Sequence, residues 1–167
     1  MSRYMSLIGQ NARKASLDKV NSKTKNKVLK KYAFLLGKEK KSIFKANQKD
    51  IQFALGKGLK NNLIERLTID EKKLIDIKNS IDKIAKLKDP VDITLKKWRR
   101  PNGLTISRVS IPIGVIGVIY ESRPNVTSDI ASLCFKSGNA VILKGGSEAI
   151  NTNKILAKLF RKSLKEN

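Results

Sequence analysis

The sequence predicts an α/β fold in which N-terminal helices lead into a β-hairpin arm and then into an incomplete parallel sheet of order strand, helix, strand, helix. Apolar residues recur at helical spacing through residues 1–92, and an Asn-Gly pair separates two β-rich runs within residues 93–111. A continuous apolar run then opens residues 112–167, where strand-like and helix-like segments alternate. These patterns divide the chain into a helical part, a hairpin and a βαβα part.

Two amphipathic helices are predicted in the first half. Their buried stripes are Val28, Tyr32, Leu35 and Leu36 in one helix, and Ile43, Ala46, Ile51, Ala54 and Leu55 in the next. Gly56 and Gly58 follow the second stripe, and glycine after the last apolar position is a typical helix stop.

A further helix is predicted after Thr68, because Glu71 stands three residues later in the spacing of a capping box. Its buried face carries Leu74, Ile77, Ile81 and Ile84. The helix closes at Asp89-Pro90, since proline disfavours the helical conformation in the residue before it.

The hairpin is predicted from two β-rich runs, residues 93–99 and 104–111. The segment between them ends in Asn102-Gly103, which is a strong turn signal because both residue types tolerate positive φ. The alternation of apolar residues breaks at Val109 and Ile111, which suits a β-bulge. The long edges of such a hairpin are either blunted by Lys and Arg or paired with a partner chain.

The βαβα part begins with Val115 to Tyr120, a continuous apolar run typical of a central parallel strand buried on both faces. A helix from Asn125 to Lys136, a strand from Ala140 to Leu143 and a helix from Ser147 to Lys165 follow. The inward positions predicted for the first of these helices are Val126, Ile130, Leu133 and Cys134. The order implies a right-handed parallel crossover.

Two loops of this part lie beyond the carboxyl ends of strands, where open α/β sheets bind ligands. The first, Glu121 to Asn125, offers a carboxylate, a guanidinium and an amide at the start of a helix. The second, Lys144 to Ser147, has paired glycines that let backbone N–H groups approach an anion beside the Lys144 charge. The spacing of Gly114 and Gly117 does not match the GxGxxG dinucleotide fingerprint.

Each of these residues also has a purely structural interpretation. Gly145-Gly146 with Ser147 as an N-cap is equally a tight strand-to-helix turn, and Asn125 is equally the N-cap of its own helix. Cys134 lies on an apolar helical face, which favours a buried structural thiol over a nucleophile.

The composition excludes several chemistries. The chain has no histidine, so it forms no Ser-His-Asp triad and no histidine metal site. Its single cysteine excludes an internal disulfide framework and a CxxC motif, and no metal site is predicted. Because no apolar run is long enough to cross a membrane and the N-terminus lacks a signal-peptide pattern, we expect a cytoplasmic protein.

The net charge of +22 raises the alternative of a nucleic-acid-binding protein. Against that alternative, lysines outnumber arginines, they are spread along the predicted helices, and few aromatic residues stand among them. We expect the charge to lie on solvated faces, where it attracts anionic substrates.

The run from Pro112 to Ile150, PIGVIGVIYESRPNVTSDIASLCFKSGNAVILKGGSEAI, resembles the signature region of the gamma-glutamyl phosphate reductase family. Upstream, ANQKDIQFALGKGLKNNLIERLTIDEK at 46–72 and LKDPVD at 87–92 are similar to the same family. The resemblance covers nearly the whole chain and implies a fold of the aldehyde dehydrogenase type, with residues 1–92 and 112–167 as parts of an NADP-binding domain. It also implies that the 93–111 hairpin makes contacts between subunits.

The function implied by the resemblance is NADPH-dependent reduction of L-glutamyl 5-phosphate to glutamate 5-semialdehyde in proline biosynthesis, through a cysteine thioester. A homo-oligomer and a pathway partner, glutamate 5-kinase, are implied with it. The roles carried onto this chain are cofactor contact for Lys144, Gly145, Gly146 and Ser147, an oxyanion donor at Asn125 and substrate-phosphate binding at Arg123. Glu148 stands one residue beyond the superfamily's Lys-Pro-x-Glu position and is not assigned the ribose-binding role.

Family members are much longer than this chain, and their nucleophilic cysteine lies beyond the position of residue 167. The resemblance therefore implies the N-terminal part of a reductase that has no activity by itself. The alternatives are a non-catalytic nucleotide-binding or oligomerisation module and the nucleic-acid-binding protein. We also expect the isolated chain to aggregate, because an unfinished parallel sheet exposes an apolar edge.

Overall fold

The computed structural model describes residues 3–167, in which the predicted helices and strands occur in the predicted order together with two helices that were not predicted, Arg3–Ala15 and Asn61–Leu67. The helices are α1 (Arg3–Ala15), α2 (Ser22–Lys38), α3 (Lys40–Gly56), α4 (Asn61–Leu67), α5 (Glu71–Lys86), α6 (Pro124–Lys136) and α7 (Ile150–Lys165). The strands are β1 (Thr94–Arg99), β2 (Thr105–Val109), β3 (Val115–Ile119) and β4 (Ala140–Lys144), and one 3₁₀ turn, Ser147–Ala149, precedes α7.

The main core lies where α2, α5 and α7 pack together. The predicted stripe of α2 is buried there, and the predicted face of α5 is buried against it. Tyr32 of α2 is fully buried, its ring packs edge-on against Phe160 at a centroid distance of 5.0 Å, and its hydroxyl lies 2.7 Å from that of Ser128. The helices before the hairpin and the segment 112–167 therefore share one core.

Helix α3 ends at Gly56 as predicted, but its buried face differs from the prediction. Ile43 and Ala54 are buried, whereas Leu55 is 57% exposed. The buried positions between them are the polar residues Asn47 and Asp50, which hydrogen-bond to other elements. Ala46 and Ile51 are half-buried, so the predicted stripe is wrong only at Leu55, and the buried face also includes polar residues that make tertiary hydrogen bonds.

The capping box predicted at Thr68 is wrong. The N-cap of α5 is Asp70, whose carboxylate accepts a hydrogen bond from the backbone N–H of Lys73 at 2.7 Å. Thr68 instead ends the short helix α4, and its hydroxyl donates to the Ile64 carbonyl at 2.8 Å. Glu71 forms an exposed ion pair with Lys40 rather than a capping bond.

The hairpin pairs β1 and β2 antiparallel, and its bulge lies in β1. Thr94 pairs with Val109 and Lys96 with Arg108, so Leu95 is the extra residue. In the turn only Gly103 has a positive φ, of 87°, and Asn102 does not. The turn that Asn102-Gly103 predicts is therefore found, and it needs a positive φ at Gly103 alone because it is a three-residue loop that starts at a proline, whose fixed φ favours a type I turn.

The second sheet pairs β3 with β4 in parallel, from Val115 opposite Ala140 to Ile119 opposite Lys144. The burial of β3 on both faces is not found: the strand is half-buried, and Ile119 is 80% exposed. The reason is that β3 pairs along one edge only, while the helices nearest the sheet, α1 and α6, pack on β4.

Helix α6 buries small side chains rather than the predicted apolar ones. Its buried residues include Thr127, Ser128, Ala131, Ser132 and Cys134, which allow close approach of α5 and α7. Of the predicted inward residues only Cys134 is buried; Val126 and Ile130 are half-buried, and Leu133 is 44% exposed. Within residues 3–167, none of the helices has the length and apolar character needed to span a membrane.

Candidate functional site at the carboxyl ends of the parallel strands

The loops after β3 and β4 lie side by side, as the parallel strand order predicts. Tyr120 donates its backbone N–H to the Lys144 carbonyl at 3.0 Å, which extends the ladder one residue beyond β3. Further out, the hydroxyl of Ser122 donates a short hydrogen bond to the carboxylate of Glu148. The two loops are therefore joined at one edge of the sheet through residues 120, 122, 144 and 148, whereas Asn125 is directed toward Asp129.

The glycine turn is shaped by the protein's own side chains. A Cβ added to Gly145 would collide with the amide of Asn153 and the ring of Tyr120, and one added to Gly146 would collide with the carboxylate of Glu148. Close packing against the Tyr120 ring thus explains Gly145, whereas the carboxylate beside Gly146 is the end of a flexible side chain that could move aside. Ser147 is not an N-cap, because its hydroxyl donates to Glu148 Oε2 at 3.3 Å and caps no backbone N–H.

Glu148 is the central acceptor of this loop. Its carboxylate is half-buried and receives hydrogen bonds from Ser122 and Ser147. The hydrogen bond from Ser122 is the first cause that holds the pKa of Glu148 below its usual range. The group is therefore an ionised acceptor, and the sequence pattern contains no signal that it folds back over Gly146.

The first turn of α7 is capped from another helix, which no local sequence pattern indicates. The carboxylate of Asp50, in α3, accepts from the backbone N–H groups of Asn151 and Thr152 at 3.1 and 2.7 Å. It also accepts from the side chains of the same two residues at 2.8 and 2.6 Å. Asp50 is only 1% exposed, so this helix end already has a buried anion, and a ligand at this edge meets side chains instead.

A short polar chain beneath the loops fixes them to α6 and α7. The hydroxyl of Tyr120 lies 2.5 Å from that of Thr127, which donates to the Asn153 side-chain oxygen at 2.9 Å. Since Thr127 belongs to α6 and Asn153 to α7, the residue that follows β3 is connected to both helices.

Helix α6 begins at Pro124, so the alternative that Asn125 is its N-cap is wrong. The N-cap position is Arg123, whose exposed side chain makes no capping bond. The amide of Asn125 points along the helix and donates to Asp129 Oδ2 at 3.4 Å. Asn125 also lines a cavity of about 360 Å³ between the α4–α5 junction and the start of α6.

Cys134 is the buried structural thiol that the helical pattern favours. It is 7% exposed, and burial raises the pKa of its thiol, which disfavours the nucleophilic thiolate. Among residues 3–167 there is also no group of three or more His, Cys, Asp and Glu side chains placed to hold a metal ion.

Comparison with known proteins connects this site to an enzyme family. No protein-family model matches the chain. The gamma-glutamyl phosphate reductase of Clostridium tetani is 47% identical over 165 residues, which make up 98% of this chain and 39% of that protein. The reductase of Hydrogenobaculum sp. is 49% identical over 150 residues, or 90% of this chain and 34% of that protein.

The chain belongs to the gamma-glutamyl phosphate reductase family. It corresponds to the N-terminal portion of the family's members, and it spans 39% of the length of the Clostridium tetani relative. The match includes the loops at the carboxyl ends of β3 and β4, because it extends over nearly all of this chain.

Solved structures of gamma-glutamyl phosphate reductases share the fold. The crystal structure from Thermotoga maritima superposes with a TM-score of 0.91 at 41% identity, over 95% of this chain and 39% of that one. The structure from Saccharomyces cerevisiae gives 0.92 at 36% identity, over 99% and 42%. A putative aldehyde dehydrogenase from Bacillus subtilis, 18% identical with a TM-score of 0.65, shares the fold over 91% of this chain, so the predicted fold type is confirmed.

Proposed function

We propose that this chain forms part of the nucleotide-binding half of a gamma-glutamyl phosphate reductase. The reaction is the reduction of L-glutamyl 5-phosphate to glutamate 5-semialdehyde by NADPH, with release of phosphate, in proline biosynthesis. The observation that carries the proposal is the 47% identity over 165 residues, which includes both loops at the open edge of the sheet.

The cofactor is proposed to bind at the loop after β4. Lys144 is an exposed cation at this edge and is suited to the phosphate groups of NADPH, while the Glu148 carboxylate accepts hydrogen bonds from ribose hydroxyls. Gly145 and Gly146 keep the turn free of side chains, and Ser147 adds an exposed hydroxyl. These groups fit a nucleotide, which offers hydroxyls to a carboxylate and phosphates to a lysine. When bound, NADPH supplies the hydride.

The substrate is proposed to bind at the start of α6. The amide of Asn125 donates to the oxygen of the reacting carbonyl as negative charge develops there. The guanidinium of Arg123, exposed at the N-cap position, binds the leaving phosphate through its two-pronged donor geometry. Neither group forms a covalent bond; both orient the acyl phosphate and stabilise its charge.

No turnover is expected from these 167 residues alone. The one cysteine is buried within α6, and its thiol pKa is raised, so it is not the nucleophile that forms the thioester. Measurable NADPH oxidation with L-glutamyl 5-phosphate by the purified chain would contradict this expectation.

Nucleotide binding is tested by titrating NADPH into the purified chain in a calorimeter. The variant Lys144→Gln removes a charge-assisted contact and is expected to raise Kd about tenfold. The matched control, Lys23→Gln, removes an exposed charge from the first turn of α2 and should leave Kd unchanged. Failure of the unmodified chain to bind NADPH would refute the proposed cofactor site.

The hairpin is proposed to join subunits into a homo-oligomer. Leu95, Trp98 and Leu104 are exposed on it, and the outer edges of β1 and β2 have no strand partner among the described residues. Light scattering of the chain with and without Leu95→Lys tests this role, since the substitution should lower the mass if the hairpin is the contact.

We also propose a cytoplasmic location and a pathway link to glutamate 5-kinase, whose product is the substrate. Co-purification of the two proteins would test the link.

A further inference from the structure

The cavity beside Asn125 has the size and the charges of a small-ligand site. Its volume of about 360 Å³ lies at the lower end of the range for pockets that bind small molecules. It is bounded by the end of α4, one face of α5 and the first turns of α6. We call it the head-group groove, and the residues that define it here are Arg66, Lys73, Asp76, Ser80, Asn125 and Asp129.

The positive end of the head-group groove is built by α4 and α5. Lys73 donates its ammonium protons to the carbonyls of Glu65 at 2.5 Å and Thr68 at 2.9 Å, which holds the charge against the last turn of α4. Those two bonds use two of the three ammonium protons, so the third is available to a ligand. Arg66 belongs to the same turn and is exposed at the mouth of the groove. An anionic group is favoured at this end.

The negative end is the carboxylate of Asp129, whose orientation is fixed. The hydroxyl of Ser80 donates to its Oδ1 at 3.0 Å, and the amide of Asn125 donates to its Oδ2 at 3.4 Å. No lysine or arginine forms an ion pair with Asp129 within residues 3–167. A half-buried carboxylate held by neutral donors attracts a cationic group. Asp76, which also lines the groove and is exposed at its mouth, adds a second negative charge.

We propose that the head-group groove binds the α-amino and α-carboxylate groups of the glutamyl substrate. Asp129 accepts hydrogen bonds from the α-ammonium, and Lys73, assisted by Arg66, binds the α-carboxylate. Asn125 lines the same groove and hydrogen-bonds to Asp129, so the proposed oxyanion donor lies beside the group that would hold the α-ammonium. This inference rests on the proposed function, because it assigns the end of the substrate that does not react.

The arrangement selects for a zwitterion. A ligand that carries both charges on one carbon satisfies Asp129 and Lys73 together, whereas a ligand with only one of them leaves the opposite charge of the groove unpaired. Leaving a half-buried charge without its partner has a free-energy penalty, which is the physical basis of discrimination in such sites. L-Glutamate should therefore bind better than glutarate, which lacks the ammonium, and better than 4-aminobutyrate, which lacks the α-carboxylate.

The test measures binding of L-glutamate, glutarate and 4-aminobutyrate to the full 167-residue chain by NMR chemical-shift titration. Asp129→Asn should raise Kd for L-glutamate about tenfold and leave Kd for glutarate nearly unchanged. Lys73→Gln should raise Kd for L-glutamate and for glutarate and leave Kd for 4-aminobutyrate nearly unchanged. The matched controls, Asp82→Asn and Lys72→Gln, remove exposed charges of α5 that do not line the groove.

Several outcomes would overturn the inference. Equal affinity for L-glutamate and glutarate, an unchanged Kd in Asp129→Asn, or no binding of L-glutamate by the folded chain would each do so. Circular dichroism melts verify that each variant is folded, and Asp129→Glu, which keeps the charge, provides a second variant if the amide destabilises α6. NADPH titration of the same samples separates the two proposals: NADPH binding without L-glutamate binding refutes only the head-group groove, and the reverse refutes only the cofactor site.

Discussion

Glu148 shows how single residues give the open edge of the sheet its chemistry. Its carboxylate lies against Gly146, receives the Ser122 hydroxyl from the neighbouring loop and stays ionised. An ionised carboxylate accepts ribose hydroxyls but repels phosphate. Within the proposed cofactor site, the phosphates must therefore lie toward Lys144 rather than over the glycines.

Removing the Ser122 hydroxyl should raise the pKa of Glu148 toward its ordinary value. Ser122→Ala deletes the largest stabilising contact of the charged form, whereas Ser147→Ala deletes a smaller one and should raise the pKa less. Because the folded pKa lies below the unfolded one, the stability from this contact is present above the unfolded pKa and is lost as pH falls through the folded pKa. NMR titration of the Glu148 side chain measures the shift; an equal effect of both substitutions would contradict the assignment.

Cys134 should be nearly inert in the folded protein. Burial raises its thiol pKa, so at neutral pH little thiolate exists and reagent access is poor. The rate of reaction with a disulfide reagent should be at least about a hundredfold lower in buffer than in urea, where the thiol has free-cysteine chemistry. Equal rates in the two solvents would show that the thiol is accessible and would revive the nucleophile hypothesis.

At the scale of elements, apolar periodicity predicted the buried faces of helices that pack through apolar side chains. It did not predict the buried faces that depend on tertiary hydrogen bonds or on small residues. The stripes of α2 and α5 follow from apolar spacing, because both helices bury continuous apolar faces in the main core. Leu55 and Leu133 carry the same apolar signal and are exposed. On α3 and α6 the buried positions belong to polar or small residues, whose partners lie far away in the sequence. No local pattern contains that information.

Helix boundaries show the same limit. Thr68 matches a capping box, yet Asp70 caps α5 because Thr68 is already engaged at the end of α4. That the loops after β3 and β4 lie together was predictable, since parallel strands bring their following loops to one edge of the sheet. The roles of particular residues in them depend on contacts such as Ser80 with Asp129, which join α5 to α6.

Replacing Asp50 should uncouple α3 from α7. Asp50→Ala leaves two backbone N–H groups and two side chains of α7 without their buried acceptor, and the expected loss is about 3 kcal/mol of unfolding free energy. Asp50→Asn keeps one acceptor oxygen and should be less destabilising. Urea unfolding measures the free energy of unfolding of both variants. The control is Asp82→Ala, a substitution at an exposed residue. A midpoint for Asp50→Ala equal to that of the control would refute the capping role.

At the scale of the whole molecule, the two-stranded sheet leaves apolar surface in water. Ile113 is 82% exposed and Ile119 80% exposed, both at the β3 side, where no further strand is paired in the described chain. The net charge of +22 opposes association over long distances, but salt screens it and the apolar patch is local. The overall arrangement of helices, hairpin and parallel sheet was predictable, whereas this exposure depends on which strands pair.

The isolated chain should therefore self-associate in physiological salt through this patch. Ile119→Lys places a charge at its centre and should increase the fraction of monomer in size-exclusion chromatography with light scattering. Leu17→Lys makes the same chemical change at a residue that is 68% exposed but outside the sheet, and it should have little effect. A monomeric, cooperatively melting wild-type chain would contradict the prediction.

The hydrogen bonds between Asp50 and α7 also mean that segments of this protein cannot fold independently of one another. The segment 112–167 has the strand-helix-strand-helix order of a self-contained unit, but its last helix is capped by Asp50 of α3. The same helix buries Leu156 and Leu159 in a core shared with α2 and α5. Transplanting the glycine loop into another scaffold would require transplanting α3 as well. In the same way, if the chain is divided in the exposed hairpin and the two parts are produced separately, the glycine loop should become ordered only when the two parts are mixed.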